Sequence, residues 1–211
     1  MPLFVFLHGV GETPQAWQDQ VVALPPGVKA VAPWLRGTRP GRDEAFSITG
    51  AADDVLRLLN QHGVEQMALI GSSLGAVVAL DAAVRAPATV AQLVLAAGQV
   101  KPPPGLAKVQ RLAFGLMPAR KLATMGISKK RFLAALDEAA GFDYSGRLGE
   151  VTARTLVVVG DRDKPNRPAA EQLAAGIPDA ALAVIPDAGA TAHTDNPRAF
   201  NDAVFSFLAS A

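Results

Sequence analysis

The sequence predicts an α/β fold: a three-layer sandwich of about six mostly parallel strands, helices on both faces, and a small helical lid inserted after the fourth strand. Three observations predict it. Short continuous apolar runs alternate with segments of helical spacing, the pattern of parallel strands covered on both faces. One strand-to-helix junction carries Gly71-Ser72-Ser73-Leu74-Gly75, the Gly-x-Ser-x-Gly of a nucleophile elbow. The polar residues with catalytic chemistry fall just after strands, and in a parallel sheet those positions gather at one edge.

The elements follow in order. Leu3–Leu7 is an apolar strand that breaks at His8-Gly9-Val10-Gly11-Glu12. A helix is expected from near Pro14, carrying Trp17 and Val21. Val28–Pro33 reads as a second strand, and the stretch to Ser47, rich in Gly, Pro and Arg, as a loop. Ala51, Val55, Leu58 and Leu59 keep helical spacing in a helix that opens near Thr49 and ends near His62. Gln66–Ile70 is the strand before the elbow, and Ala76–Val84 the helix after it. Gln92–Ala96 is the fourth strand. Lys101-Pro102-Pro103-Pro104-Gly105 then leads into a segment dense in Leu, Met, Phe, Lys and Arg, with helical spacing over 109–116 and 128–140. Residues 1–100 and 151–211 are therefore assigned to the core, and 101–150 to the lid. Thr155–Val159 and Ala181–Ile185 are the last strands, with a helix over 169–175 between them. Asn196-Pro197 opens the final helix, Asn as N-cap and Pro in the first turn, with Phe200, Val204, Phe207 and Leu208 on its apolar face.

Composition removes several classes of function. With no cysteine, disulfides, thiol catalysis and thiolate metal sites are excluded. A net charge of +1 gives no electrostatic reason to bind nucleic acid or an anionic membrane. The apolar stretch Pro2–Leu7 lacks a basic n-region and is too short to span a bilayer, so a cytoplasmic location is expected.

The chemistry starts at Ser73. A serine hydroxyl attacks only when a base takes its proton, a third group orients that base, and donors await the oxyanion. The N–H of Leu74, next after the serine, and the N–H of Val10, after the first strand, are the candidate donors. Gly160-Asp161-Arg162-Asp163, after the fifth strand, offers two carboxylates for the orienting acid. Only three histidines are present: His8, His62 and His193. His8 reads as shaping its loop and bordering the substrate pocket, and His62 as a solvated helix end before Gly63.

These residues resemble the α/β-hydrolase superfamily over nearly the whole chain. His8-Gly9 with Trp17 is similar to its oxyanion segment. Ala32-Pro33-Trp34-Leu35-Arg36-Gly37 resembles its A-P-D-x-R-G stretch, with Trp34 at the acidic position. Ala52-Asp53-Asp54-Val55 and the elbow are similar to the segments that follow. Gly160–Asp163 resembles its G-x-x-D, which selects Asp163 as the triad acid. The chain departs from the family in starting its sheet at Leu3, without the usual N-terminal hairpin.

A second departure touches the chemistry. The family's last motif reads roughly I-P-x-A-G-H, with the catalytic base as its histidine. Here the residues are Ile185-Pro186-Asp187-Ala188-Gly189-Ala190, and His193 stands three residues further on. Three readings follow: a His-to-Ala variant of an otherwise complete triad, a displaced base at His193, or a pocket used without hydrolysis. The last covers a lyase, cyclase or isomerase and a ligand-binding pseudohydrolase.

The resemblance implies cleavage of an ester, thioester, lactone or related acyl bond through an acyl-enzyme on Ser73, with no cofactor and no metal. The substrate pocket is expected to include His8, Trp34, Ser72, Phe114 and Met117. An apolar lid containing Leu106, Leu112, Phe114, Met117 and Phe132 suggests a small apolar acyl or ring-bearing substrate. Oligomeric state is not readable from the sequence.

Overall fold

A computed structural model describes residues 2–39, 41–42, 44–102, 116, 133–134, 137–138 and 141–210. Six strands form one sheet: β1 (Leu3–Leu7), β2 (Ala30–Val31), β3 (Met67–Ser72), β4 (Val90–Ala96), β5 (Arg154–Gly160) and β6 (Ala181–Ile185). Their order is β2-β1-β3-β4-β5-β6, and every pairing is parallel. The chain leaves β1 for β2 on one side and returns to β3 on the other. The order therefore reverses between β1 and β3, where doubly wound sheets open a crevice beyond the strand ends. The two loops on the crevice are the one carrying Val10 and the one carrying Ser73.

Apolar runs become central strands because both sheet faces are covered. β1 and β3 are buried at every residue. The helices bounded within the described residues include α1 (Gln18–Val22), α2 (Ile48–His62), α3 (Leu74–Arg85), α4 (Arg167–Gly176), α5 (Ala192–Asp195) and α6 (Pro197–Ala209). One core packs α2, α3 and α4 against the sheet, and the other packs Trp17 and the apolar side of α6 against the opposite face. α3 is buried from Leu74 to Val84, so it carries no polar stripe to mark an outer face.

Local chemistry sets the boundaries. Ser47 caps α2 by accepting from the Gly50 N–H at 2.9 Å, and Gly63, at φ 62°, ends it in the left-handed conformation. Asn196 caps α6 by accepting from the Ala199 N–H at 3.2 Å, with Pro197 in the first turn. The segment from Pro14 begins as a 3-10 turn, Pro14–Trp17, before becoming α1.

One expectation needs correction. The second strand is only two residues long: Val28 turns back to the Pro25 carbonyl, and Pro33 has no N–H for the ladder. Part of the segment assigned to the lid packs on the core. Tyr144 and Leu148 are buried, and the Tyr144 hydroxyl donates to Asp81 of α3 at 2.8 Å. Most of the expected lid, with Phe114 and Met117, lies outside the described residues. Of its described part, Glu138 reaches the core and accepts from the Ile48 N–H at 3.2 Å.

Candidate active site

Ser73 follows β3 with φ 50° and ψ −112°, a conformation that side-chain-bearing residues rarely adopt. Close packing enforces it. A Cβ on Gly75 would stand 2.0 Å from the Leu7 carbonyl oxygen, and one on Gly71 would stand 2.4 Å from the Gly75 carbonyl oxygen. The Ser73 N–H is fixed to the Ala96 carbonyl of β4 at 2.9 Å. The serine side chain is left exposed at the carboxyl edge, while Ser72 and Leu74 on either side are buried. Leu74 is the first residue of α3, so its N–H belongs to the helix's unpaired first turn and adds to the positive end of the helix dipole.

The β1 loop comes against this serine. A Cβ on Gly9 would lie 3.2 Å from the Ser73 Cβ and 2.8 Å from Oε2 of Glu12. Glu12 curls back so that Oε2 accepts from the Gly9 N–H at 2.6 Å. Its Oε1 lies 3.5 Å from Nε2 of His193. Burial raises the Glu12 carboxyl above the ordinary range, and the Gly9 N–H partly offsets this.

Asp163 is 4% exposed. The Asn166 side-chain amide donates to its two carboxylate oxygens at 3.0 and 2.8 Å, and Gln99 donates to Asn166 at 2.6 Å. The fifth-strand loop thus holds one sheltered carboxylate at the sheet edge. Asp161 is exposed and does different work: it accepts from the Ala188 N–H at 3.1 Å. Backbone donors, the Asp187 N–H foremost, hold its carboxyl below the usual range. Together with a tight contact of Gly160 on the Ala188 carbonyl, this laces the fifth-strand loop to the sixth-strand loop.

Ala190 is exposed, on a loop tied down by Asp195, which accepts from the Gly189 N–H at 2.7 Å and from the Thr191 hydroxyl at 3.0 Å. His193 is fully buried in α5, stacked on Trp17 at 4.3 Å and edge-on to Phe200 at 6.0 Å. Neither ring nitrogen has a hydrogen-bond partner among the described residues. Burial lowers its pKa to about 4, with the Asp195 charge a lesser, opposing influence. It is a neutral ring in an aromatic slot, and no hydrogen bond joins it to Asp163.

His8 differs from the expectation that it borders the pocket. It is fully buried; the Leu35 N–H at 3.4 Å and the Thr38 hydroxyl at 3.3 Å meet its Nε2. The ring is scaffolding that pins the β1 loop to the Leu35–Thr38 turn. Ser72 is likewise buried. Trp34 stands edge-on to His8 at 5.6 Å and lines a groove with Arg36 and Asp54. Among the described residues no group of three or more His, Asp or Glu is placed to hold a metal ion, and no helix is long and apolar enough to cross a membrane.

Sequence reasoning missed Glu12 and Asn166. Glu12 sits three residues beyond Gly9 on the β1 loop, the one signal that could have singled it out. Asn166 follows Asp163 by the same interval.

Solved structures resemble this fold, and curated relatives resemble this sequence. A hydrolase from Pseudomonas aeruginosa PA01 superposes with a TM-score of 0.86 at 23% identity, covering 99% of this chain and 90% of that one. An enol-lactonase from Burkholderia xenovorans LB400 gives 0.86 at 18% identity, covering 99% and 92%. These likenesses concern the fold. A putative carbamate hydrolase RutD of Variovorax paradoxus is 27% identical over 239 aligned positions, covering 95% of this chain and 89% of that protein. The model of the alpha/beta hydrolase family matches residues 4–203, and the chain belongs to that family.

Proposed function

We propose that this chain is a serine-nucleophile hydrolase of an ester, thioester, lactone or related acyl bond, slowed by the loss of its histidine base at position 190. The observation that carries the reading is Ser73 itself. It is exposed at the switch point of the sheet, in a strained conformation that Gly71 and Gly75 alone permit. Strain kept by such packing is typical of a functional position.

The placement of these residues supports the following roles. Ser73 Oγ attacks the acyl carbon, and the N–H groups of Leu74 and Val10 receive the oxyanion. Asp163, sheltered and aimed by Asn166, is the acid for a base projecting from position 190. His193 is disfavoured as a displaced base, because its ring stacks on Trp17 and forms no hydrogen bond to Asp163. The curated relatives named for carbamate hydrolysis add carbamates to the acyl bonds worth testing. A location in the cytoplasm and a small apolar acyl or ring-bearing substrate complete the reading.

A fluorophosphonate probe tests it, since phosphonylation requires an activated serine. Labelling of Ala190→His at Ser73, much faster than of the unmodified chain, is the expected outcome. No labelling of either form would replace hydrolysis with a pocket that only binds.

A further inference from the structure

We propose that Glu12 takes the proton from Ser73 in this chain, filling the role that Ala190 leaves vacant. The inference rests on Ser73 being the nucleophile. Its basis is a juxtaposition the triad scheme does not use. Glu12 Oε2 and the Ser73 Cβ both lie against the point where a Gly9 Cβ would stand, at 2.8 and 3.2 Å. Glycine at position 9 therefore leaves open a point that borders both the carboxylate and the serine. A residue with a side chain there would crowd both.

The carboxylate is also oriented. One oxygen is fixed by the Gly9 N–H at 2.6 Å, and the other faces His193 at 3.5 Å. Among the described residues, titratable neighbours come from α5. His193 faces Glu12 from α5, and Asp195 acts on that ring from the same helix. Burial makes Glu12 a stronger base than a solvated glutamate, which suits proton transfer near neutral pH.

The steps balance. The Ser73 Oγ–H bond breaks and its proton passes to Glu12 as Oγ bonds the acyl carbon. The carbonyl electron pair moves to the oxygen. Its return expels the leaving group, which takes the proton from Glu12. Water then attacks the acyl-enzyme with Glu12 again accepting a proton, and that proton returns to Ser73 as the acid departs.

The test uses an activated aryl ester and compares the unmodified chain with Ser73→Ala, Glu12→Gln and Glu12→Asp. Glutamine keeps the carbonyl that accepts from the Gly9 N–H and loses only basicity. The unmodified chain should exceed Ser73→Ala. Glu12→Gln should lower kcat/KM about 100-fold, within the range of a single general base. The acid limb of the pH profile, above the usual glutamate range, should vanish with it. In the Ala190→His background the same change should cost little, because a histidine then carries the proton. Three results would overturn the proposal: turnover no greater than Ser73→Ala, an unaltered pH profile in Glu12→Gln, or a rise in rate on removing the charge. The last would mean that the carboxylate opposes the oxyanion. Fast probe labelling of Ala190→His alongside any of these would leave the serine-hydrolase reading standing and remove only Glu12.

Discussion

The elbow after β3 and the loop after β6 face the same sheet edge and are built by different means. The elbow is held by backbone against backbone: Gly75 on Leu7, Gly71 on Gly75, and the Ser73 N–H on Ala96. Changing any of these disturbs the central strands. The β6 loop is also well fixed, through Asp161, Asp195 and the contact of Gly160 on Ala188. Ala190 on that loop is exposed. On the proposed reading, a base at an exposed position can be exchanged with little cost to the fold, whereas a serine presented by a strained turn persists with the fold.

The difference can be sharpened at the acid. If the β5–β6 side is a triad awaiting its base, Asp163 matters only once a histidine is present. Asp163→Asn in the Ala190→His background should lower kcat by about 10⁴-fold, as the loss of an orienting acid does. In the unmodified chain it should change the ester rate little. Steady-state kinetics on the four combinations measure this. An equal loss in both backgrounds would make Asp163 a structural residue.

A smaller effect separates His193 from the chemistry. The unfolded chain protonates this residue near pH 6.5, but the folded chain resists until about pH 4. Between those values the unfolded state binds more protons, so stability falls as pH falls, by up to about 3 kcal/mol. Glu12, with its raised pKa, acts in the opposite sense by losing stability as pH rises through its folded value. His193→Phe should flatten the histidine contribution in urea melts at pH 4 to 7. An unchanged pH dependence would mean that the ring is not buried as a neutral base.

Much of this was readable in the chain. The elbow combined a specific motif with matching flanks, and Asn196-Pro197 announced α6. Val28–Pro33 was read too long because its apolar spacing says nothing about which N–H groups find a partner. Tyr144 and Leu148 were assigned to the lid because only tertiary contacts with Asp81 and Gly176 reveal their burial. The slot that encloses His193 is made by Trp17 and Phe200, far from it in sequence. Glu12 was passed over for a similar reason. One acidic residue in a loop has no periodicity, and its position matters only because Gly9 opens the space beside Ser73.

The central claim is that Ser73, its oxyanion donors and Asp163 await a histidine at position 190 for full activity. Ester turnover by Ala190→His, measured against the unmodified chain and against Ala190→His with Ser73→Ala, tests it most directly. A gain of several orders of magnitude that vanishes without Ser73 is the result expected, given that losing the base costs about 10⁶-fold in a serine protease. No gain, in a protein that remains folded, would contradict the account.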